Sequence, residues 1–166
     1  MTSSEWWSGV GGALLGALIG SFIPLGWSWW QRRSERHGEI QAMHVEFRRA
    51  LEYMEALRRD NIAAPLYRLP TSLCKQALPK LIGDDLLTLN EVGALVDYVN
   101  AADEINRGLD RSGEAHAAGN DTWLRQEHSR TLSKVDEVIG QPKERYGGMN
   151  LFDAAQAAVF RVEGRK

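Results

Sequence analysis

Residues 40–57 read IQAMHVEFRRALEYMEAL, and apolar side chains recur along them every three or four positions. The recurring residues are Ile40, Met43, Phe47, Ala50, Met54 and Leu57. Steps of three and four place these side chains on one side of an α-helix, with Arg and Glu on the other sides. The seam is shorter than three heptads and contains Met and Ala, so packing inside one bundle is favoured over an intermolecular coiled coil. The stretch therefore predicts a long helix in an all-α fold.

A run of 26 uncharged residues, 6–31, precedes this helix. A transmembrane helix needs about 20 such residues, and tryptophan is enriched where it meets the two membrane interfaces. The tryptophans at the two ends of the run are Trp6, Trp7, Trp27, Trp29 and Trp30. A cleavable signal peptide is the alternative, but Met1 to Glu5 has no basic side chain and no A-x-A site follows. The sequence therefore predicts a transmembrane anchor over residues 1–31 and a helical domain over residues 32–166.

The charges that flank this run predict its orientation. Arg32, Arg33 and Arg36 follow it directly, whereas Glu5 is the one ionisable side chain in the first thirty residues. By the positive-inside rule, the N-terminus then lies outside and the C-terminal part lies in the cytoplasm. We therefore expect a single-pass protein of the inner (cytoplasmic) membrane. Membrane lipid is its first expected partner, and the arginines and tryptophans are its interface anchors.

Small residues share one face of the predicted span, in the pattern of a glycine zipper. They are Gly9, Gly12, Ala13, Gly16, Ala17 and Gly20. A face of this kind lets a second helix approach closely, and packing then drives association in lipid. We expect a homo-oligomer or an association with another membrane helix. The alternative is that glycine is simply common in membrane helices.

Caps and breaks predict the remaining helices. After a connection containing Pro65 and Pro70, a short helix is expected to stop at Pro79, and a Thr88–Glu91 capping box opens a long one. The predicted helices cover residues 73–78, 89–110, 121–139 and 150–162, with a polar loop over 113–120. Because no stretch alternates for the length of a strand, the predicted fold is all-α: one N-terminal transmembrane helix leading into a small cytoplasmic helical bundle.

About a quarter of the chain resembles a segment of uncharacterised prokaryotic single-pass proteins with a cytoplasmic helical domain. This segment is residues 69–111, LPTSLCKQALPKLIGDDLLTLNEVGALVDYVNAADEINRGLDR. The resemblance rests on Leu69-Pro70-Thr71 at a helix start and on residues 98–109 at the end of the long helix. It implies membrane anchoring and an interaction module, and it implies no catalytic residue.

Motifs for metal binding or catalysis are missing from the sequence, which has no C-x-x-C, no H-E-x-x-H and no Glu-x-x-His. His37 and His44 share a helix face but lack a convincing third ligand. Cys74 stands beside Lys75 near a helix start, where a thiolate would be stabilised, but a half-buried structural cysteine is favoured. We therefore predict no enzyme activity and no cofactor. The net charge of −2, without a cluster of basic residues, also excludes nucleic acid as an expected partner.

The one candidate pocket consists of Tyr98, Asp103, Asn106 and Arg107. Asp103 and Asn106 continue the apolar row of their helix, so they fall on a side that should be buried. A buried carboxylate must be paired or hydrogen-bonded. Two interpretations stay open: bonds to the backbone of residues 69–72 with Arg107 as the ion partner, or a polar pocket for a ligand.

Together these features favour a non-enzymatic, membrane-tethered adaptor or scaffold that self-associates or docks partners through its glycine face. A cytoplasmic protein is a further possible partner of the bundle. The alternative function is a membrane-perturbing effector, in which a signal or a ligand at the bundle changes the packing of the span. The three hydroxyls of the run, on Ser8, Ser21 and Ser28, are too few to line an aqueous pore.

Overall fold

The structure is a computed structural model that describes residues 34–60 and 62–164. Helix α1 covers residues 34–60, and the helices that follow are α2 (Ser72–Gly83), α3 (Leu89–Ala117), α4 (Asp121–Ile139) and α5 (Leu151–Gly164). A single turn of 3₁₀-helix, Glu144–Tyr146, lies between α4 and α5. Every regular element in the described part is helical, which confirms the all-α fold.

The predicted span, its tryptophans, its glycine face, Arg32 and Arg33 lie outside the described residues. Among the helices that the structure does describe, none combines the length and the apolar character that a membrane crossing requires. From Glu39 onward the chain forms one compact unit, Glu39–Lys166. The following paragraphs concern this bundle.

The seam of α1 lies in the core of the bundle. All six of its residues are buried among side chains of the same chain, so the prediction of packing inside one bundle is confirmed. At the centre, the ring of Phe47 stacks on Tyr98 of α3 at 4.6 Å, and its edge meets Phe152 of α5 at 5.5 Å. Three helices therefore share one aromatic contact.

Helix α2 continues through Pro79 to Gly83, so the predicted stop at this proline is wrong. Proline removes one backbone donor in a helix interior. The helix continues because Cys74, Ala77 and Leu81, at steps of three and four, are all buried on one side. Leu81 could not reach the core if the helix ended at Pro79.

Helix α3 opens at the predicted capping box, where Glu91 Oε2 accepts the backbone N–H of Thr88 at 2.7 Å. Its end differs from the prediction, because α3 runs to Ala117 and the predicted polar loop is reduced to three residues, 118–120. Ser112 and Ala115 are fully buried, so packing offsets the cost of Gly113 in the helix. The turn instead uses Gly119, whose φ of 66° suits glycine.

Helices α3 and α4 form a closely packed antiparallel hairpin. Any side chain at Gly108 would collide with the hydroxyl of Thr131 on α4. That hydroxyl donates to the carbonyl of Glu127 at 2.8 Å, so it is satisfied within its own helix. The two helix backbones can therefore approach closely, because Gly108 has no side chain and the Thr131 hydroxyl bonds a carbonyl of its own helix.

Candidate functional site

Asn106 of α3 binds the connection between α1 and α2. Its side-chain oxygen accepts the backbone N–H of Leu69 at 2.7 Å, and its side-chain nitrogen donates to the Leu69 carbonyl at 2.9 Å. An amide side chain has both an acceptor oxygen and N–H donors, so it can bond the N–H and the carbonyl of the same residue. The structure therefore places Asn106 on the backbone of the turn, as the first of the two open interpretations describes.

Asp103 lies one turn before Asn106 and bonds side chains of α2 and its cap. Its Oδ1 accepts from Lys75 Nζ at 2.7 Å and, weakly, from the Thr71 hydroxyl at 3.4 Å. Thr71 and Lys75 are four residues apart, so both face α3. The prediction of Arg107 as the ion partner is wrong, because Lys75 takes that position, and Arg107 is exposed with no ion pair among the described residues.

Tyr98 does not join this group. It lies five positions before Asp103, which turns its side chain about 140° away around α3. It is 1% exposed, and its hydroxyl has no hydrogen-bond partner in the described part of the chain. Burial raises the pKa of the Tyr98 phenol above its ordinary value, and nearby Cys74 and Glu46 add to the rise. The four predicted residues therefore do not form one pocket. Asp103 and Asn106 bind the turn and the start of α2, whereas Tyr98 is buried in the core and Arg107 is exposed.

Glu46 is the polar group that the sequence analysis missed. It is 3% exposed, although it lies in the middle of α1. Its two carboxylate oxygens accept the backbone N–H groups of Leu73 at 2.8 Å and Cys74 at 2.9 Å, in the first turn of α2. These amides have no partner within their own helix, and their partial positive charge stabilises the carboxylate. Thr71, in the N-cap position of α2, makes no capping bond, so α1 supplies the cap.

Cys74 lies directly behind this cap. The thiol is fully buried, and burial raises its pKa to about 12, with the Glu46 carboxylate adding to the rise. The charge of Lys75 lowers the pKa of the thiol, but the opposing effects of burial and of Glu46 are larger. The preference for a structural cysteine agrees with this environment, although the thiol is more buried than the half-buried position expected from the sequence.

His44 contacts the C-terminal helix. Its Nε2 lies 3.1 Å from Glu163 Oε2, and its ring packs against Phe160 at 4.3 Å. In the described ranges, no three His, Cys, Asp or Glu side chains converge as a metal site requires. His44 therefore joins α1 to α5 in this structure.

A second buried carboxylate joins α3 to α4. Glu127 is also 3% exposed, and its oxygens accept from Arg111 Nε at 2.6 Å and from Arg130 Nη1 at 2.8 Å. The hydrogen bond and the charge of Arg111, with a smaller contribution from Arg130, lower the pKa of Glu127. As at Glu46, the polar contact holds two helices together.

Comparisons of the chain with protein-family models, with curated proteins and with solved structures find no match. Glu46 fixes α2 to α1, Asn106 and Asp103 fix the α1–α2 connection to α3, and Glu127 fixes α4 to α3. Each of these polar groups orients one part of the bundle relative to another.

Proposed function

We propose that the protein is a non-enzymatic, membrane-tethered helical adaptor. In this proposal residues 6–31 cross the inner membrane with the N-terminus outside, and the bundle lies in the cytoplasm. Residues Gly9 to Gly20 form the face through which the span self-associates or binds a partner helix. The observation that carries the proposal is the uncharged run of 26 residues, which has tryptophan at both ends and is followed by three arginines.

The polar contacts of the bundle support the adaptor over an enzyme. Glu46, Asp103, Asn106 and Glu127 are engaged with backbone amides or with cationic side chains of other helices. An acid or base in catalysis must have access to a substrate. Groups held in this way serve to fix helix positions, as a scaffold requires.

Membrane integration is the first test. Full-length protein should sediment with membranes and resist extraction at alkaline pH in carbonate, because about 20 apolar residues in lipid cannot be released by charge neutralisation. Recovery of the uncleaved protein in the soluble fraction would refute the transmembrane anchor.

Association through the glycine face is the second test. Gly16 belongs to two overlapping G-x-x-x-G units, so Gly16→Ile should separate the helix backbones and weaken a two-hybrid signal in a bacterial inner membrane. Leu18→Ile, on the opposite side of the span, is the matched control because it preserves volume and lipid solubility. If both variants give the wild-type signal at equal expression, the glycine face does not mediate association.

A further inference from the structure

Several helix ends meet at one end of the bundle, which we call the Glu39 end. Glu39 of α1 pairs with Lys80 in the last turn of α2. Two residues later, Gln41 Nε2 donates to Glu163 Oε1 in the last turn of α5 at 3.2 Å. The C-terminal ends of α2 and α5 therefore lie beside the residue at which α1 enters the compact unit.

The first turn of α3 lies at the same end. Arg161 of α5 pairs with Glu91 in that turn, and its guanidinium also donates to the Leu86 carbonyl at 3.3 Å. The connection between α2 and α3, residues 84–88, is consequently part of the Glu39 end. Glu39 and Glu91 at this end are thus paired with Lys80 and Arg161.

Large apolar side chains are exposed at this end and beside it. Leu89, the first residue of α3, is 86% exposed, and Ile82 near the end of α2 is 45% exposed. Phe160 on α5, one turn before Glu163, is 54% exposed although one of its faces contacts His44. Three large apolar side chains are thus available for contact at or beside this end.

We propose that the Glu39 end rests on the phospholipid bilayer, with Ile82, Leu89 and Phe160 entering the headgroup region. This inference rests on the proposed function, because the predicted span supplies the tether. Glu39 lies eight positions after Gln31, which is about 12 Å of helix and at most about 29 Å of extended chain. The headgroup layer is about 5–8 Å thick on each side. The connection is therefore short enough for this end of the bundle to reach the bilayer that the predicted span would cross.

The contact of Ile82, Leu89 and Phe160 does not require an anionic lipid. The cations Lys80 and Arg161 are already paired with carboxylates, and exposed Asp84 and Asp85 add negative charge. Burial of apolar side chains at the interface is then the source of the contact, as for amphipathic surfaces that lie in the headgroup region. The contact should accordingly be insensitive to salt.

Spin labels on full-length protein in phosphatidylcholine liposomes test this inference. Labels are placed by Leu89→Cys, Ile82→Cys and Phe160→Cys, and the native Cys74 does not compete because it is fully buried. Leu66→Cys is the matched control, because Leu66 is completely exposed and lies far from the Glu39 end. Its neighbour Tyr67 stacks on Tyr53, which is about 21 Å along α1 from Glu39. Accessibility to oxygen and to a soluble nickel chelate is measured for each label.

The ratio of oxygen accessibility to nickel accessibility should be several-fold higher at positions 82, 89 and 160 than at position 66. Equal, aqueous ratios at all four positions would overturn the inference. Labels at 82 and 89 that are shielded from both reagents would also overturn it, because a protein would then cover the surface. Failure of the protein to float with the liposomes would refute the tether itself, which separates failure of the proposed function from failure of the lipid contact.

Discussion

Glu46 and Glu127 are equally buried, but opposite kinds of partner stabilise them. Glu46 is held by two backbone amides at the start of α2 and has no cationic partner among the hydrogen bonds and ion pairs described. Glu127 is held by two arginines whose side chains are about half exposed. Amides in a helix turn are fixed in position and shielded from ions, whereas arginines at a surface are mobile and screened. The comparison indicates that α1 and α2 are coupled more rigidly than α3 and α4 are by their polar contacts.

The largest effect is expected for Glu46→Gln. In this variant the side-chain NH2 group of glutamine would face the N–H of Leu73 or Cys74, which would then lack an acceptor. The negative charge that the N-terminus of α2 stabilises would also be lost. The free energy of unfolding should fall by about 2–3 kcal/mol. Thermal unfolding of the full-length protein in detergent measures this change. Glu52→Gln, at an exposed position of the same helix, is the control, and equal melting temperatures for the two variants would show that the cap contributes nothing.

A smaller effect is expected for Glu127→Gln, with a different dependence on salt. The glutamine oxygen can still accept from one arginine, and the other arginine can turn to water, so the loss should be about 1 kcal/mol. Raising the ionic strength should reduce this loss and leave that of Glu46→Gln unchanged. Melting curves of both variants at low and high salt measure the contrast, and a parallel response to salt would remove the distinction between the two sites.

The smallest effect concerns a more exposed carboxylate and its dependence on pH. Hydrogen bonds from Lys143 and Lys134 lower the pKa of Glu137 from 4.5 to about 2. Because the folded pKa is depressed, the stabilisation is complete above pH 4.5 and is lost as the pH falls toward 2. Its size should be below about 1 kcal/mol, since water screens the pair. Glu137→Gln should therefore melt slightly below wild type at neutral pH and converge with it near pH 2. A constant difference down to that pH would exclude the ion pair as the cause.

Periodicity and local caps predict much of the bundle. The seam of α1 and the capping box of α3 are both local patterns, and the structure contains both. The rules for helix ends fail where packing overrides them. Pro79 does not stop α2 because Leu81 is buried beyond it, and Gly113 does not stop α3 because Ala115 is buried beyond it.

The candidate site is only partly predictable from the sequence. Asn106 is predictable because it interrupts an apolar row, and it binds the backbone of the 69–72 turn as expected. Tyr98 does not belong with Asn106, because the helix turns its side chain to another side. Glu46 had a visible signal, since it is a charged residue three positions after Met43 and four before Ala50, both on the buried side. Its partners could not be predicted, because they lie 27 and 28 residues away.

The cap that α1 provides for α2 also has a consequence in time. The acceptor for the Leu73 and Cys74 N–H groups is Glu46, which is 27 positions before Leu73 and 28 before Cys74. Helix α2 therefore cannot gain its cap until the intervening chain has closed into a loop. An isolated helix of 12 residues, the length of α2, is only marginally stable in water. Closing this loop lowers the conformational entropy of the chain before the long-range contacts stabilise the fold. The cap therefore stabilises α2 only in a chain whose α1 and α2 have already come together.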